Sequence, residues 1–210
     1  MGRYTGPSCR LCRREGIKLM LKGARCETAK CPMERQWRNF PPGQHSWRRG
    51  RGSEYRLRLR EKQKVKRYYG VFEKQFRRYY RQAERGRGNT GSLLLRILES
   101  RLDNVVHKLG FAASRAVGRQ MISHGHIHVN GRRVSVPSYL VKVGDRISVK
   151  DSERTTKLIQ AALEEFGDRN LQSWLNLDKT KLEAEIVASP TRDDVMSPVE
   201  EQLIVEFCSQ

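Results

Sequence analysis

The chain has 210 residues, 42 of them Lys or Arg against 23 Asp or Glu, for a formal charge of +19 with 37% apolar residues. That length accommodates one domain with appendages or two small domains, and a charge surplus of this size speaks of partners rather than of fold. The densest apolar cluster, Leu93 to Leu95, is broken at once by Arg96, far short of the ~18 apolar residues a membrane span needs. The start, Met1-Gly2-Arg3-Tyr4, has no apolar signal region. A soluble protein of a reducing, cytoplasmic compartment is the expectation these exclusions leave.

The charge is unevenly placed. Residues 1–88 hold 26 basic and 7 acidic side chains, residues 89–150 hold 10 and 3, and residues 151–210 hold 6 and 13. A first segment this basic repels itself unless a polyanion neutralises it, and its excess of Arg over Lys favours phosphate, which the planar guanidinium fork matches.

Four of the five cysteines, Cys9, Cys12, Cys26 and Cys31, form a C-x2-C-x13-C-x4-C pattern. Two close pairs joined by a loop suit a tetrahedral Zn2+ knuckle, and a four-thiolate shell leaves no open position, so the role expected is structural. The same thiolates could hold an iron–sulfur cluster, the minor alternative. The plainer alternatives are two disulfides, or free thiols in a small core; disulfides are disfavoured without a secretory context, and Arg10, Arg13, Arg14 and Lys30 beside the sulfurs favour thiolates. Cys208, far away, reads as a small buried hydrophobe.

Between residues 32 and 53, Pro32, Pro41-Pro42-Gly43, Gly50 and Gly52 punctuate a loop carrying Trp37, Phe40, Trp47, Arg48, Arg49 and Arg51. Arginines interleaved with aromatics suit an arm on RNA, the rings stacking on unpaired bases; the same aromatics could instead pack on the knuckle. Residues 54–88 are helix formers of high basic density, interrupted at Gly70, with Phe72, Phe76 and Tyr80 at helical spacing as a core-facing stripe. Candidate RNA contacts here are Arg3, Arg13 and Arg14, then Arg56, Lys62, Lys64, Lys66 and Arg67, then Arg77, Arg78, Arg81 and Arg87.

Gly86 to Gly91 reads as a linker, its spacing wrong for a nucleotide-binding fingerprint. Beyond it, Ser92 is placed to cap a single helix with Leu94, Leu98, Leu102, Val105 and Leu109 inward, ending at Gly110. Ser114 caps a second, Arg115 to His124, with Gly125 as its stop. Asn130-Gly131 then supplies a two-residue hairpin, and Gly144-Asp145 turns the chain into a closing strand, Arg146 to Lys150. In Gly125 to Val129, His126 and His128 fall on one face and Ile127 and Val129 on the buried one. Arg101, Arg115, Arg119, Arg132, Arg133 and the tip Asn130 can converge on one RNA-facing side, with Ser114 and His124 as further candidates. A metal or catalytic site from His124, His126 and His128 is disfavoured, since no carboxylate or Cys lies nearby in sequence to complete or orient it.

Residues 151–210 are acidic, with an amphipathic helix around Leu158 to Phe166, apolar segments at Trp174 to Leu177 and Glu185 to Val187, and an apolar helix from Val199 to Phe207 expected to fold back on residues 54–88. The acidic groups suit a solvated face that avoids phosphates or meets a basic protein neighbour. The expected class is α+β. Its parts are a knuckle and basic arm (1–46), a helical domain (47–91 with 190–210) and an RNA-binding module with extension (92–189, core 98–150).

The run Leu98 to Val106, then Leu109-Gly110-Phe111-Ala112, Ser114-Arg115, Arg119-Gln120, His124 to Ile127 and Val129-Asn130-Gly131 resembles the RNA-binding module named after small-subunit ribosomal protein four. Further likenesses at Arg10 to Gly16, Pro41 to His45, Leu59 to Lys64 and Glu201-Gln202-Leu203 extend it over the whole chain, to the bacterial form of that ribosomal protein family that keeps four cysteines. The resemblance implies a primary binder of 16S-type ribosomal RNA, at a multi-helix junction of its 5′ domain, that starts assembly of the small-subunit body. It also implies ribosomal protein five as a neighbour, a place beside the path by which mRNA enters, and an influence on decoding accuracy. Ser46, Gly118 and Cys208 depart from the family, which more often has Gly, Ala and an aromatic there; Gly118 should cost ~1 kcal/mol of helix stability.

Two other classes compete. An RNA-modifying or aminoacylating enzyme can use the same module as an accessory, as pseudouridine synthases and a tyrosyl synthetase do, but the residues left over are too few for a catalytic domain or a small-molecule substrate site. A zinc-dependent DNA regulator should follow its metal site with a recognition helix, whereas here a Pro-Gly arm follows.

Overall fold

The computed structural model describes residues 2–44, 52–166, 171–195 and 199–209. The chain divides into two compact units, one running to Leu94 and taking in the C-terminal helix, the other Leu95–Val195. The cysteine segment and the basic helices, two separate parts in the sequence reading, fall in the first unit together. Arg48, Arg49, Arg51 and Trp47 lie outside the described residues.

In the first unit, α1 (Ser8–Glu15) and two short 3-10 helices (Gly23–Cys26, Gln36–Arg38) precede α2 (Glu54–Tyr68) and α3 (Glu73–Glu84). Ser53 starts α2 by accepting a hydrogen bond from the Arg56 N–H at 3.2 Å, the side-chain cap that an exposed helix start needs. The break at Gly70 leaves Phe72 outside the stripe expected of it: Phe72 precedes α3 and is exposed, while Phe76, Tyr79, Tyr80 and Ala83 form the buried face. The C-terminal helix α8 (Glu201–Cys208) returns to α2 as expected. Arg58 pairs with Glu206 at 2.8 Å, the rings of Tyr55 and Phe207 lie 5.4 Å apart, and the Lys62 ammonium sits 4.4 Å from the centre of the Phe207 ring. Cys208 is half-buried rather than enclosed.

In the second unit the single helix expected from Leu94 to Leu109 is two, α4 (Thr90–Glu99), which begins in the first unit, and α5 (Leu102–Lys108). Asn89, not Ser92, caps α4, its side-chain oxygen accepting from the Gly91 N–H at 2.8 Å. The break falls at Arg101, which is extended and bridges to Leu140. The backbone groups released there are taken up by the loop 137–141: the Leu102 N–H donates to Tyr139, the Asp103 N–H to Pro137, and the Val141 N–H to Ser100. Buried backbone groups need such partners, so this loop makes the interruption affordable. Helix α6 (Arg115–His124) crosses α5 at Gly118. An added Cβ there would lie 3.1 Å from the Asp103 carbonyl oxygen, so the glycine admits a close helix crossing that offsets its poor propensity.

Five antiparallel strands follow in the order β2-β1-β3-β5-β4, with β1 Ile127–Val129, β2 Arg132–Arg133, β3 Arg146–Val149, β4 Leu175–Asp178 and β5 Glu183–Ile186. Asn130 (φ 51) and Gly131 (φ 74) make the hairpin turn expected of Asn-Gly. The apolar segments after residue 170 prove to be a second hairpin that adds itself to β3, pairing Ile147 with Ala184. The larger sheet buries Ile127, Val129, Ile147, Ala184 and Ile186 on one face, with α5, α6, α7 (Glu153–Phe166) and Trp174 supplying the rest of the core.

Gly125 stops α6 in the left-handed region (φ 76), and a Cβ added there would fall on the Arg133 guanidinium. Gly125→Ala should therefore lower the unit's stability by about 1–2 kcal/mol and shift the Arg133 side-chain NMR signals; unchanged urea melts and spectra would contradict this account.

Candidate RNA interface

The cation-rich segments gather few acidic side chains, and those few decide which cations remain exposed. Glu15, its side chain 1% exposed, accepts from Arg60 at 3.4 Å and from Arg67. Burial pushes the Glu15 carboxyl above its ordinary range against the pull of Arg67 and Arg60, and its second oxygen, Oε2, has no partner. Glu73 gathers Lys62 at 2.8 Å, Lys66 at 2.6 Å and Arg77 at 3.0 Å. Glu61 pairs with Lys64. In the second unit Asp103, itself buried, takes Arg101 and, at 3.5 Å, Arg119. Beside it the fully buried Glu99 accepts from Asn104 Nδ2 at 2.6 Å, while Asn104 Oδ1 accepts from Arg115 at 2.7 Å. Lys108 stands 3.9 Å from Glu99, and its burial lowers its pKa.

These pairings revise the expected contacts. Arg101, 2% exposed, and Lys62, 4% exposed, are spent on Asp103 and Glu73 and present no charge to a ligand. Ser114 is buried and caps α6, accepting from the Val117 N–H at 3.4 Å. Asn130, placed at the tip by sequence, is committed within the fold: it donates to Asp145 at 2.8 Å and accepts from the Arg146 N–H at 2.9 Å. Lys64, Lys66, Arg67, Arg115 and Arg119 are half-buried and hold internal partners, and Arg13 is half-buried on α1. Exposed are Arg3, Arg14, Arg56, Arg77, Arg78, Arg81 and Arg87 in the first unit, and His124, Arg132 and Arg133 in the second.

Some exposed cations escaped the sequence reading. Trp37 is 65% exposed, not packed on the knuckle, and the guanidinium carbons of Arg38 and Arg35 lie 4.4 and 5.8 Å from its ring centre. The R-x-W-R order carried that signal. Lys142, Arg146 and Lys150 add exposed charge around β3, where only the paired strand shows that they share a region with the hairpin arginines.

The four cysteines Cys9, Cys12, Cys26 and Cys31 are joined by no disulfide and line one cavity of about 10 Å3 with Leu21, Pro32 and Met33. The Lys22 N–H reaches Cys26 Sγ at 3.4 Å. Burial raises the Cys12 and Cys26 thiols, and their sulfur neighbours raise them further. Among the described residues no three His, Cys, Asp or Glu side chains stand in coordinating positions, and no helix is long and apolar enough to cross a membrane.

A helix pair on a small antiparallel sheet, with exposed guanidinium groups on its hairpin, is an arrangement suited to the phosphates and shape of a folded RNA. Comparison agrees: residues 3–99 match the family described as the ribosomal protein S4/S9 N-terminal domain, and residues 100–147 match the S4 domain. Over all 210 residues, with both chains covered completely, the sequence is 56% identical to small ribosomal subunit protein uS4 of Halothermothrix orenii. It is likewise 55% identical to that of Acidithiobacillus ferrooxidans and 54% to that of Dictyoglomus turgidum. The chain belongs to the uS4 family of small ribosomal subunit proteins, a family of structural proteins and not of enzymes. The enzyme and DNA-regulator readings are thereby set aside.

The pairings also set an acid limit. Partial burial opposes ionisation of Glu73, but hydrogen bonds from Lys62, Lys66 and Arg77 outweigh it and hold the carboxyl at about 2, against an ordinary 4.5. A depressed carboxyl stabilises the fold above pH 4.5, and that contribution is lost as the pH falls through about 2. The urea midpoint of the first unit should therefore drop more between pH 5 and 2 in the natural protein than in Glu73→Gln; parallel pH profiles would refute this.

Proposed function

We infer that this chain is a structural component of the small ribosomal subunit that binds 16S-type ribosomal RNA. The observation that carries the reading is its full-length identity of 54–56% to proteins named as small ribosomal subunit proteins. The exposed guanidinium groups of Arg132 and Arg133, and of Arg78 and Arg81 on α3, are its contacts with phosphate, while Lys62 and Lys66 on Glu73 and Arg101 on Asp103 hold the scaffold together. Binding as a primary protein at a junction of the 5′ domain, and so nucleating the subunit body, belongs to the same reading. So do a role in decoding accuracy and contacts with ribosomal protein five and incoming mRNA; family membership supports them, and the acidic surplus of residues 151–210 suits a basic protein neighbour.

Affinity then comes mainly from counterion release at many phosphates. Filter binding to small-subunit rRNA should give a slope of log K against log salt of several units, reduced by about 1 for each of Arg132→Ala and Arg133→Ala. Affinity that barely changes between low and moderate salt would overturn the mechanism.

The proposal includes one structural Zn2+ held by Cys9, Cys12, Cys26 and Cys31. Its support is the C-x2-C-x13-C-x4-C donor set and the lining of one cavity by all four cysteines, whose side chains must close in by rotation to coordinate an ion. An iron–sulfur cluster is the alternative that these thiols also allow. Such a site supplies local folding energy. Elemental analysis should find about one zinc per chain, and chelation or Cys9→Ala should collapse the amide signals of the first ~45 residues while those of Ile127 to Arg133 persist; loss of the hairpin signals would contradict this.

A further inference from the structure

Helices α6 and α7 of the second unit leave a solvent-open cavity of about 340 Å3 between them, at the small end of ligand-site volumes. Its walls are apolar. Val117 and Met121 come from α6 and Leu158 from α7, and Val117 and Leu158 remain 38% and 53% exposed. Large apolar groups left uncovered on two neighbouring helices call for an occupant. The rim is polar and positive: Arg154 is exposed there, His124 and His126 stand with ring centres 6.2 Å apart, and Lys150 and Arg133 lie close enough to act on His126. His126 Nδ1 is 3.1 Å from Thr155 Oγ1, a contact that ties the segment after α6 to α7.

We propose that this cavity takes one unstacked nucleobase of the bound RNA, its ring between Val117, Met121 and Leu158, its polar edge toward Thr155 and His126, and its phosphate on Arg154. This deepens, and rests on, the rRNA-binding reading. An apolar protein side chain would have no use for the cationic rim, and a phosphate alone none for the apolar walls, whereas a nucleotide uses both. Burial together with His124, Lys150 and Arg133 lowers the His126 pKa, which favours the neutral ring, a group that can share a hydrogen bond with a base. The module match ends at residue 147, while Arg154, Thr155 and Leu158 lie beyond it. The helix after the module thus completes the pocket, turning a surface that reads shape into one that also holds a base.

Two measurements on the full chain test this. In NMR titrations, AMP or UMP should shift the imidazole signals of His124 and His126, whereas ribose 5-phosphate and inorganic phosphate should not; equal responses to all four, or none to the nucleotides, overturn the proposal. In rRNA binding, Leu158→Ala and Thr155→Val should each weaken affinity about tenfold with the salt slope unchanged, since no phosphate contact is removed. Leu158 is exposed, so its truncation leaves the fold intact, and circular dichroism checks both variants. Undiminished affinity in both variants, with the natural protein binding rRNA, overturns the pocket alone. A natural protein that fails to bind rRNA overturns the rRNA reading and the pocket with it.

Discussion

The structure depends on how so few carboxylates neutralise so many cations. Residues 1–150 contain 36 basic and 10 acidic side chains, and a chain with that imbalance destabilises its own compact state. Glu15, Glu73, Glu99 and Asp103 answer it by serving as hubs, Glu15, Glu73 and Asp103 each drawing in two or three cations. The hubs are buried or half-buried, where pairing is weakly screened and the removal of one partner strands a charge. Most cations so held, Lys62, Lys66, Arg67, Arg101 and Arg119 among them, are drawn in from the surface, whereas Arg77 stays exposed beside Glu73. Stability and recognition therefore draw on one set of arginines and lysines.

The same logic shapes the module. Breaking the α4–α5 helix at Arg101 turns that side chain inward to Asp103 and lets the 137–141 loop take up the released backbone groups. With Arg101 inside and Arg119 shared with Asp103, outward charge falls to the hairpin and to Lys142, Arg146 and Lys150 around β3. The hairpin is itself rigid, because Asn130 is tied to Asp145 and to the backbone of β3. A tip held in this way restricts where the backbone of Arg132 and Arg133 stands, and pre-positioned donors lose less entropy when they meet a ligand.

Much of this was legible from residues alone. The Asn-Gly turn, the Ser114 cap, the alternation in Ile127 to Val129 and the return of the last helix are local patterns whose physics lies within a few residues or in simple amphipathicity. The interruption at Arg101 was not legible, because periodicity runs through it unbroken and its cause is a loop some forty residues on. Nor was the β4–β5 hairpin, whose short strands gain their place by pairing with β3. The cavity between α6 and α7 joins Val117 to Leu158, neighbours only once the sheet has positioned both helices.

The sequence by itself determined the preference for a polyanion, the four-thiol pattern and the helices and the hairpin whose signals are local, since net charge, cysteine spacing and local periodicity are properties of the unfolded chain too. Only the tertiary structure decided which cations are available. Arg67 meets Glu15 across 52 residues, and Arg58 meets Glu206 across 148. An ion pair of that kind depends on distance and burial in space, and no spacing along the chain encodes either.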